Sequence, residues 1–276
     1  MSLPQELIDE ILSHLPFRNQ KDQQTLQNCS LVAKSWIDPS RRRLFETIRI
    51  TDWNCQSWMD KIPPSNTELL RHVRHFCLFG PDPQEPGPVS ECADISNFCV
   101  YFPSLRRLHT IELCDAYIPN IPQRIEMFSP CQQVLSSLIF AGALLPWRSF
   151  IALIDYFPNL RNLELQSLHL MGTDRNSLPL SRPLRGTLRF RLSEEESLRA
   201  LSNWFTGLEV GYEELEVGIG YVCGTYSQPV IDKCAKTLKR LKFQLCECIV
   251  PRTPLRMWLI QQPSGCPYEP PSLFGA

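Results

Sequence analysis

The sequence predicts an α/β chain in two parts: a small three-helix module at the amino terminus, then an irregular solenoid of short repeats with a parallel inner sheet and uneven outer helices. Three observations predict it. One amphipathic stretch near residue 1 has both of its ends marked, and a Leu-x-x-Leu-x-Leu pattern recurs along most of the remaining chain. The third is 24 Pro against 12 Gly, too many Pro for long helices or for sheets rich in central strands. They cluster in Pro81–Pro88 and after Pro251, or stand singly between apolar runs, as punctuation of a repeated unit. The division this gives is 1–46 for the helical module, 47–65 for a linker, 66–250 for about seven divergent repeats and 251–276 for a Pro-rich tail.

In LPQELIDEILSHL, residues 3–15, the side chains Leu7, Ile8, Ile11, Leu12 and Leu15 fall on one stripe of a 3.6-residue helix, with Glu6, Asp9, Glu10 and Ser13 opposite. Ser2 with Gln5 has the form of a capping box, Pro4 suits a first turn, and Pro16 stops the helix. After a polar connection, 17–24, the run TLQNCSLVAKSWIDPSRRRLF repeats helical spacing through Leu26, Cys29, Val32, Ala33 and Trp36, which predicts a second and a third short helix.

The Leu-Pro start, the paired aliphatics, the CSLVAKSW segment and the closing RRRLF, in that order, resemble an F-box. The resemblance implies that this module docks a Skp-type adaptor, and through it a cullin–RING ubiquitin ligase, with Leu3, Pro4, Ile8, Ile11, Leu12, Leu15, Val32 and Trp36 as adaptor-binding candidates. Physical reasoning points the same way, because three short helices are too small to hide all of these apolar side chains by themselves. Arg41–Arg43, flanked by Asp38 and Glu46, is expected as a solvated helix face rather than a nucleic-acid patch.

In one register the repeats are Val73/Phe76/Leu78, Leu108/Ile111/Leu113, Leu135/Leu138/Phe140, Leu160/Leu163/Leu165, Arg185/Leu188/Phe190, Tyr212/Leu215/Val217 and Leu238/Leu241/Phe243. Their starts differ by 35, 27, 25, 25, 27 and 26 residues, close to the roughly 20–29 expected of leucine-rich repeats. The first gap is longer because it contains the Pro81–Pro88 loop. Each unit is expected to be a strand, a turn and a return segment. Helical returns are expected around Ile95–Phe102, Trp147–Phe157, Leu198–Phe205 (capped by Ser193 with Glu196) and Val230–Leu238, and an extended crossing between Gly172 and Gly186.

The array resembles the leucine-rich repeats that follow F-boxes in many fungal proteins, with one departure. The usual Asn or Cys position carries Pro81, Ala116, Ala143, Leu168, Ser193, Gly220 and Cys246, so an Asn ladder is absent. Between the apolar anchors, Cys77, Glu112, Ile139, Glu164, Arg189, Glu216 and Lys242 point off the sheet and are the target-binding candidates. The last four alternate in sign, and Glu214 and Arg240 in the preceding row do the same, so lateral ion pairing is the simpler expectation beside target binding.

The remaining composition excludes several classes. A net charge of −1 gives no chain-wide footprint for nucleic acid or anionic lipid. The most apolar window, 138–157, is broken by Pro146, Arg148 and Asp155, so no membrane span is expected. Twelve scattered Cys without a signal peptide are expected as reduced thiols, in cytoplasm or nucleus. His72, His75 and Cys77 hint at a metal site, but the sequence offers no second cluster to complete four ligands, and Cys246 and Cys248 are one residue too close for a zinc pair, so no metal or other cofactor is expected. Neither a nucleophile elbow nor a phosphate loop is present, and no intrinsic enzyme is expected.

The function implied is a substrate-recognition adaptor of an SCF-type ubiquitin ligase, its repeats holding an unknown target protein. The alternative is a protein-interaction scaffold that binds the adaptor or another partner without a cullin. The tail after Val250 holds at most a short helical stub, Thr253–Gln261, which is expected either to act as a partial cap or to mark a chain that was once longer.

Overall fold

The computed structural model describes residues 3–15, 20–63, 65–80, 98, 100–116, 121–172, 180–191, 195–219 and 223–245. Ser2, Pro16, the Pro81–Pro88 loop, Ser193, Gly220, Cys246 and the tail lie outside them. Residues 1–246 form one compact unit.

Three helices open the chain: α1 (Gln5–His14), α2 (Gln20–Val32) and α3 (Lys34–Leu44). Pro4 is the N-cap of α1 rather than a first-turn residue, and no side chain caps that end. Helix α2 starts within the stretch expected as a polar connection, because its Gln and Lys residues are good helix formers whatever their polarity. Helix α3 packs against both of the others. Ile8, Leu12 and Leu26 are fully buried between them, with Leu15, Cys29, Trp36 and Leu44 packed around. The basic run at the end of α3 is answered by its acidic neighbours, Arg42 by Asp38 at 3.4 Å and Arg43 by Glu46 at 2.6 Å.

The segment expected as a linker is structured. Strand β1 (Thr47–Ile50) pairs with β2 (His75–Phe79), and α4 (Asp52–Lys61) follows, capped by a reciprocal Thr51–Asn54 box. Ile48, Ile50 and Cys55 supply its apolar side to the main core. A short α5 (Thr67–Leu70) leads into β2.

From β2 onward the chain builds β3 (Thr110–Cys114), β4 (Ser137–Ala141), β5 (Leu144–Pro146), α7 (Trp147–Tyr156), β6 (Asn162–Gln166), β7 (His169–Met171), β8 (Leu184–Arg191), α8 (Glu195–Gly207), β9 (Val210–Ile219), α9 (Cys223–Cys234) and β10 (Arg240–Leu245). A short α6 (Ile121–Arg124) and a 3-10 segment, Ile125–Cys131, lie between β3 and β4. Among the described residues, eight strands form one sheet in the order β1-β2-β3-β4-β6-β8-β9-β10, every pair parallel, while β5 and β7 make a second small parallel pair. The register is the one the sequence spacing predicts: Phe76, Ile111, Leu138, Leu163, Leu188, Leu215 and Leu241 are successive partners.

The return segments differ from expectation in detail. Where 95–102 was expected helical, the described part holds a 3-10 turn at Phe102–Ser104, which Pro103 suits better than an α-helix. Helix α9 ends at Cys234, so Leu238 lies beyond it. Of the Gly172–Gly186 crossing, residues 180–183 hold no helix and 184–186 already belong to β8. Arg185, taken as an anchor, is exposed, and Leu184 is buried in its place. A bulge at Gly186/Thr187 shifts the strand by one residue there, and only glycine fits it: its φ is +97° and a Cβ would strike the Arg161 carbonyl.

Aromatic rings link the return segments to one another. Phe76, Phe102, Phe128 and Phe157 follow at centroid distances of 5.6, 4.8 and 5.8 Å, and Phe150 meets Trp204 at 5.4 Å. Each fully buried Phe contributes about 1.5–3 kcal/mol of transfer free energy. The turns after the strands are tied by backbone hydrogen bonds. The N–H groups of Gly80, Asp115, Gly142 and Ser167 donate to the carbonyls of Cys114, Ala141, Gln166 and Arg191, one strand further on each time. Ala116 and Ala143, standing where an Asn ladder would be, are buried, and their carbonyls accept from Leu144 and His169.

Candidate functional site

Two surfaces carry the candidate residues. On the helical module, α1 has two apolar stripes. Ile8 and Leu12 face inward at 0% and 2% exposure, so their assignment to adaptor binding is corrected: they hold α1 onto its neighbours and have no area left for a partner. Leu15 and Trp36 are half-buried against the same cluster. Leu3, Pro4 and Ile11 are exposed, and Leu7, which the sequence reading did not select, is exposed beside them at 50%. Val32 and its neighbour Leu31 stand out at 68% and 82%. The i, i+4, i+8 spacing of Leu3, Leu7 and Ile11 was the available signal for a second stripe, hidden because both stripes share one broad apolar arc.

Residues 1–38 match the F-box domain. The match covers α1, α2 and the start of α3, and an F-box implies a Skp-type adaptor as partner and an adaptor role in a ubiquitin ligase. No curated protein matches the chain.

The F-box region is joined to the sheet through α3. Asp38 lies 3.7 Å from Arg71 and 3.8 Å from His72, on the turn that leads into β2. Burial lowers the His72 pKa, with Asp38 opposing the shift. A polar cleft of about 650 Å³ lies beside this junction, lined among others by His14, Arg43, Arg49, Arg74, His75 and His109.

The second surface is the polar face of the sheet. Strand pairing brings Cys77, Glu112, Ile139, Glu164, Arg189, Glu216 and Lys242 into one row, each opposite the next. Lateral ion pairs occupy its later half. Arg189 lies 2.9 Å from Glu164 and 3.5 Å from Glu216, Arg191 also binds Glu216, and Arg240 lies 3.0 Å from Glu214. The Arg191 hydrogen bond holds the Glu216 carboxyl below its ordinary range, against burial. Ile139 is half-buried and Lys242 exposed.

The early half is different. Cys77 is 1% exposed, which corrects its assignment as a target contact: the small thiol sits below the flanking side chains. Its Sγ is 3.8 Å from Cys114 Sγ, and the Cys114 thiol lies 3.4 Å from Glu112 Oε1. His75 Nε2 is 2.9 Å from Glu112 Oε2. The contact is short but poorly aligned, leaving Nε2 buried without a well-directed hydrogen bond. His75, ahead of the two thiols and against burial, holds the Glu112 carboxyl at about 2. The thiol of Cys77 is pushed far up by Cys114, by burial and by Glu112.

The two motifs noted for metals fare differently. His72 lies 3.8 Å from Asp38 and is not among the donors that gather at His75 and Cys77, and Cys246 and Cys248 lie outside the described residues. Among the described residues, no helix is long and apolar enough to cross a membrane.

Proposed function

We propose that this chain is a substrate-recognition subunit of an SCF-type ubiquitin ligase, in which the F-box region docks a Skp-type adaptor and the sheet region, an irregular leucine-rich-repeat solenoid, holds a target protein. The F-box match at residues 1–38 carries the reading. Its apolar contact surface is the exposed stripe Leu3, Leu7 and Ile11, with Leu31 and Val32 as further contacts. Support for the repeat assignment comes from the constant register of the paired anchors and from the chain order that the strands of the main sheet keep, with β5 and β7 set aside in a pair of their own. The target contacts the polar row from Ile139 to Lys242, where Glu164, Arg189 and Glu216 can exchange internal pairs for intermolecular ones.

In this role the chain contributes no chemical step. Binding adaptor and target together raises the local concentration of target lysines near a ubiquitin-charged enzyme supplied by other subunits. The test is co-purification from cells of the full chain and two variants, Leu3→Ala/Pro4→Ala and Ile11→Glu, followed by detection of adaptor and cullin. Both present with the parent chain and lost from the variants is the expected result. Adaptor without cullin favours a scaffold outside ubiquitin transfer, and capture of neither by the parent chain ends the adaptor reading.

A further inference from the structure

The early end of the polar sheet face holds four donor side chains in an arrangement the later end lacks. His75 and Cys77 are two apart on β2, Glu112 and Cys114 two apart on β3, and the parallel register sets Cys77 opposite Glu112. All four therefore lie on one face of two adjacent strands. His75 Nε2, Cys77 Sγ and a Glu112 oxygen lie within 4.8 Å of one another. Cys114 Sγ adds a fourth donor at 3.8 Å from Cys77 Sγ and 3.4 Å from Glu112 Oε1.

From this geometry we propose that His75, Cys77, Glu112 and Cys114 form a zinc-type divalent metal site. The sulfur separation of 3.8 Å is far beyond the roughly 2.05 Å of a disulfide. It matches the distance of about 3.8 Å between two thiolates that each sit about 2.3 Å from a tetrahedral zinc ion. Two sulfurs with an imidazole and a carboxylate select a borderline ion such as zinc over magnesium or calcium, which prefer all-oxygen shells. The site is also held as a metal site should be. Its donors stand on paired strands, both thiols are buried, and His75 and Glu112 keep about a quarter of their side chains open (29% and 25%), leaving a path for the ion. His75 Nε2 is buried, faces the cluster and lacks a well-directed hydrogen bond, as a ligand nitrogen would before metal arrives.

Cys131 is buried too, but its thiol donates to the Phe128 carbonyl at 3.2 Å, a packing role complete in itself. The Cys77 and Cys114 thiols are directed at each other and at the Glu112 carboxylate. Metal binding would displace their protons and lock β2 to β3 beside the strand that receives the F-box region. This inference stands apart from the ligase reading, since metal uptake requires neither adaptor nor target.

The experiment uses the full chain, purified with reductant and stripped by chelator, then titrated with Zn²⁺ against a chromogenic chelator and, separately, with Co²⁺. We expect one high-affinity equivalent of zinc, protons released on uptake, a thermal midpoint raised by zinc, and thiolate-to-cobalt charge-transfer absorption. Cys77→Ser and Cys114→Ser should each weaken that absorption. His75→Gln and Glu112→Gln, whose side chains are partly exposed, keep the test usable should the cysteine variants misfold, and each should lower zinc affinity at least roughly tenfold with an unchanged circular dichroism spectrum. The proposal is overturned by absence of a tight equivalent in the reduced parent chain, or by unchanged affinity in both the His75 and Glu112 variants.

Discussion

The helical module and the parallel sheet expose opposite kinds of side chain. In the module a cluster of three fully buried residues, Ile8, Leu12 and Leu26, leaves Leu7, Ile11, Leu31 and Val32 in water. In the sheet a continuous core runs from Ile48 to Cys234, and over β6, β8, β9 and β10 the outer face carries charged residues of which Glu164, Arg189, Glu216, Glu214 and Arg240 are paired laterally. The contrast follows from size: three short helices have too little interior for their apolar residues, whereas stacked strands share one core and need only polar groups outside. One surface suits an apolar partner, and the other suits a polar one.

The largest expected effect attacks the shared core. Phe102→Ala removes the ring between Phe76 and Phe128 and should cost about 3–5 kcal/mol, read as a lower urea midpoint; a change under about 1 kcal/mol would show that the aromatic row is not structural. The next test separates the two stripes of α1. Leu12→Ala should destabilise the chain by about 2–5 kcal/mol. Ile11→Glu should leave stability within about 0.5 kcal/mol yet weaken adaptor binding roughly thirtyfold or more, as loss of a hot spot does. If the two variants behave alike, the inward and outward stripes are not distinct.

A smaller effect is expected at the turn after β4. Gly142 has φ +69°, and a Cβ there would collide with the Asp115 carboxylate, so Gly142→Ala should cost about 1–3 kcal/mol. The smallest concerns the polar row. Because the folded-state pKa of Glu216 is depressed, its contribution is complete above the usual carboxylate range and is lost as pH falls through the folded value. Glu216→Gln should therefore cost about 0.2–1 kcal/mol near neutral pH, with the difference from the parent vanishing in acid; a difference that persists or grows in acid would contradict the pairing.

The regular parts of this molecule were legible because period and register are one-dimensional properties. Spacings of 25 to 27 residues placed Leu138, Leu163, Leu188 and Leu215 as strand partners correctly. Misses occurred where a third dimension intervened. Arg185 stood in for Leu184 because a bulge is invisible in spacing. β1 was missed because four residues after a basic run carry no repeat signature. Leu241 and Phe243 fit the pattern yet are exposed, at 38% and 57%, because β10 is the last strand of the sheet among the described residues.

The candidate sites show the same divide. Sequence order supplied the F-box resemblance and the alternating charges of the sheet face, both of which depend on neighbours at fixed offsets. It could not separate Ile8 from Leu7 or Leu12 from Ile11, since facing inward or outward depends on where α3 packs. Nor could it complete the donors around His75 and Cys77, because Glu112 and Cys114 lie 35 and more residues away and become neighbours only through the strand register. By itself, then, the sequence determined the periods, the strand partners and the kind of amino-terminal module. Tertiary structure alone decided which apolar residues remain for a partner and which polar ones converge, because burial and convergence depend on contacts between segments far apart in the chain.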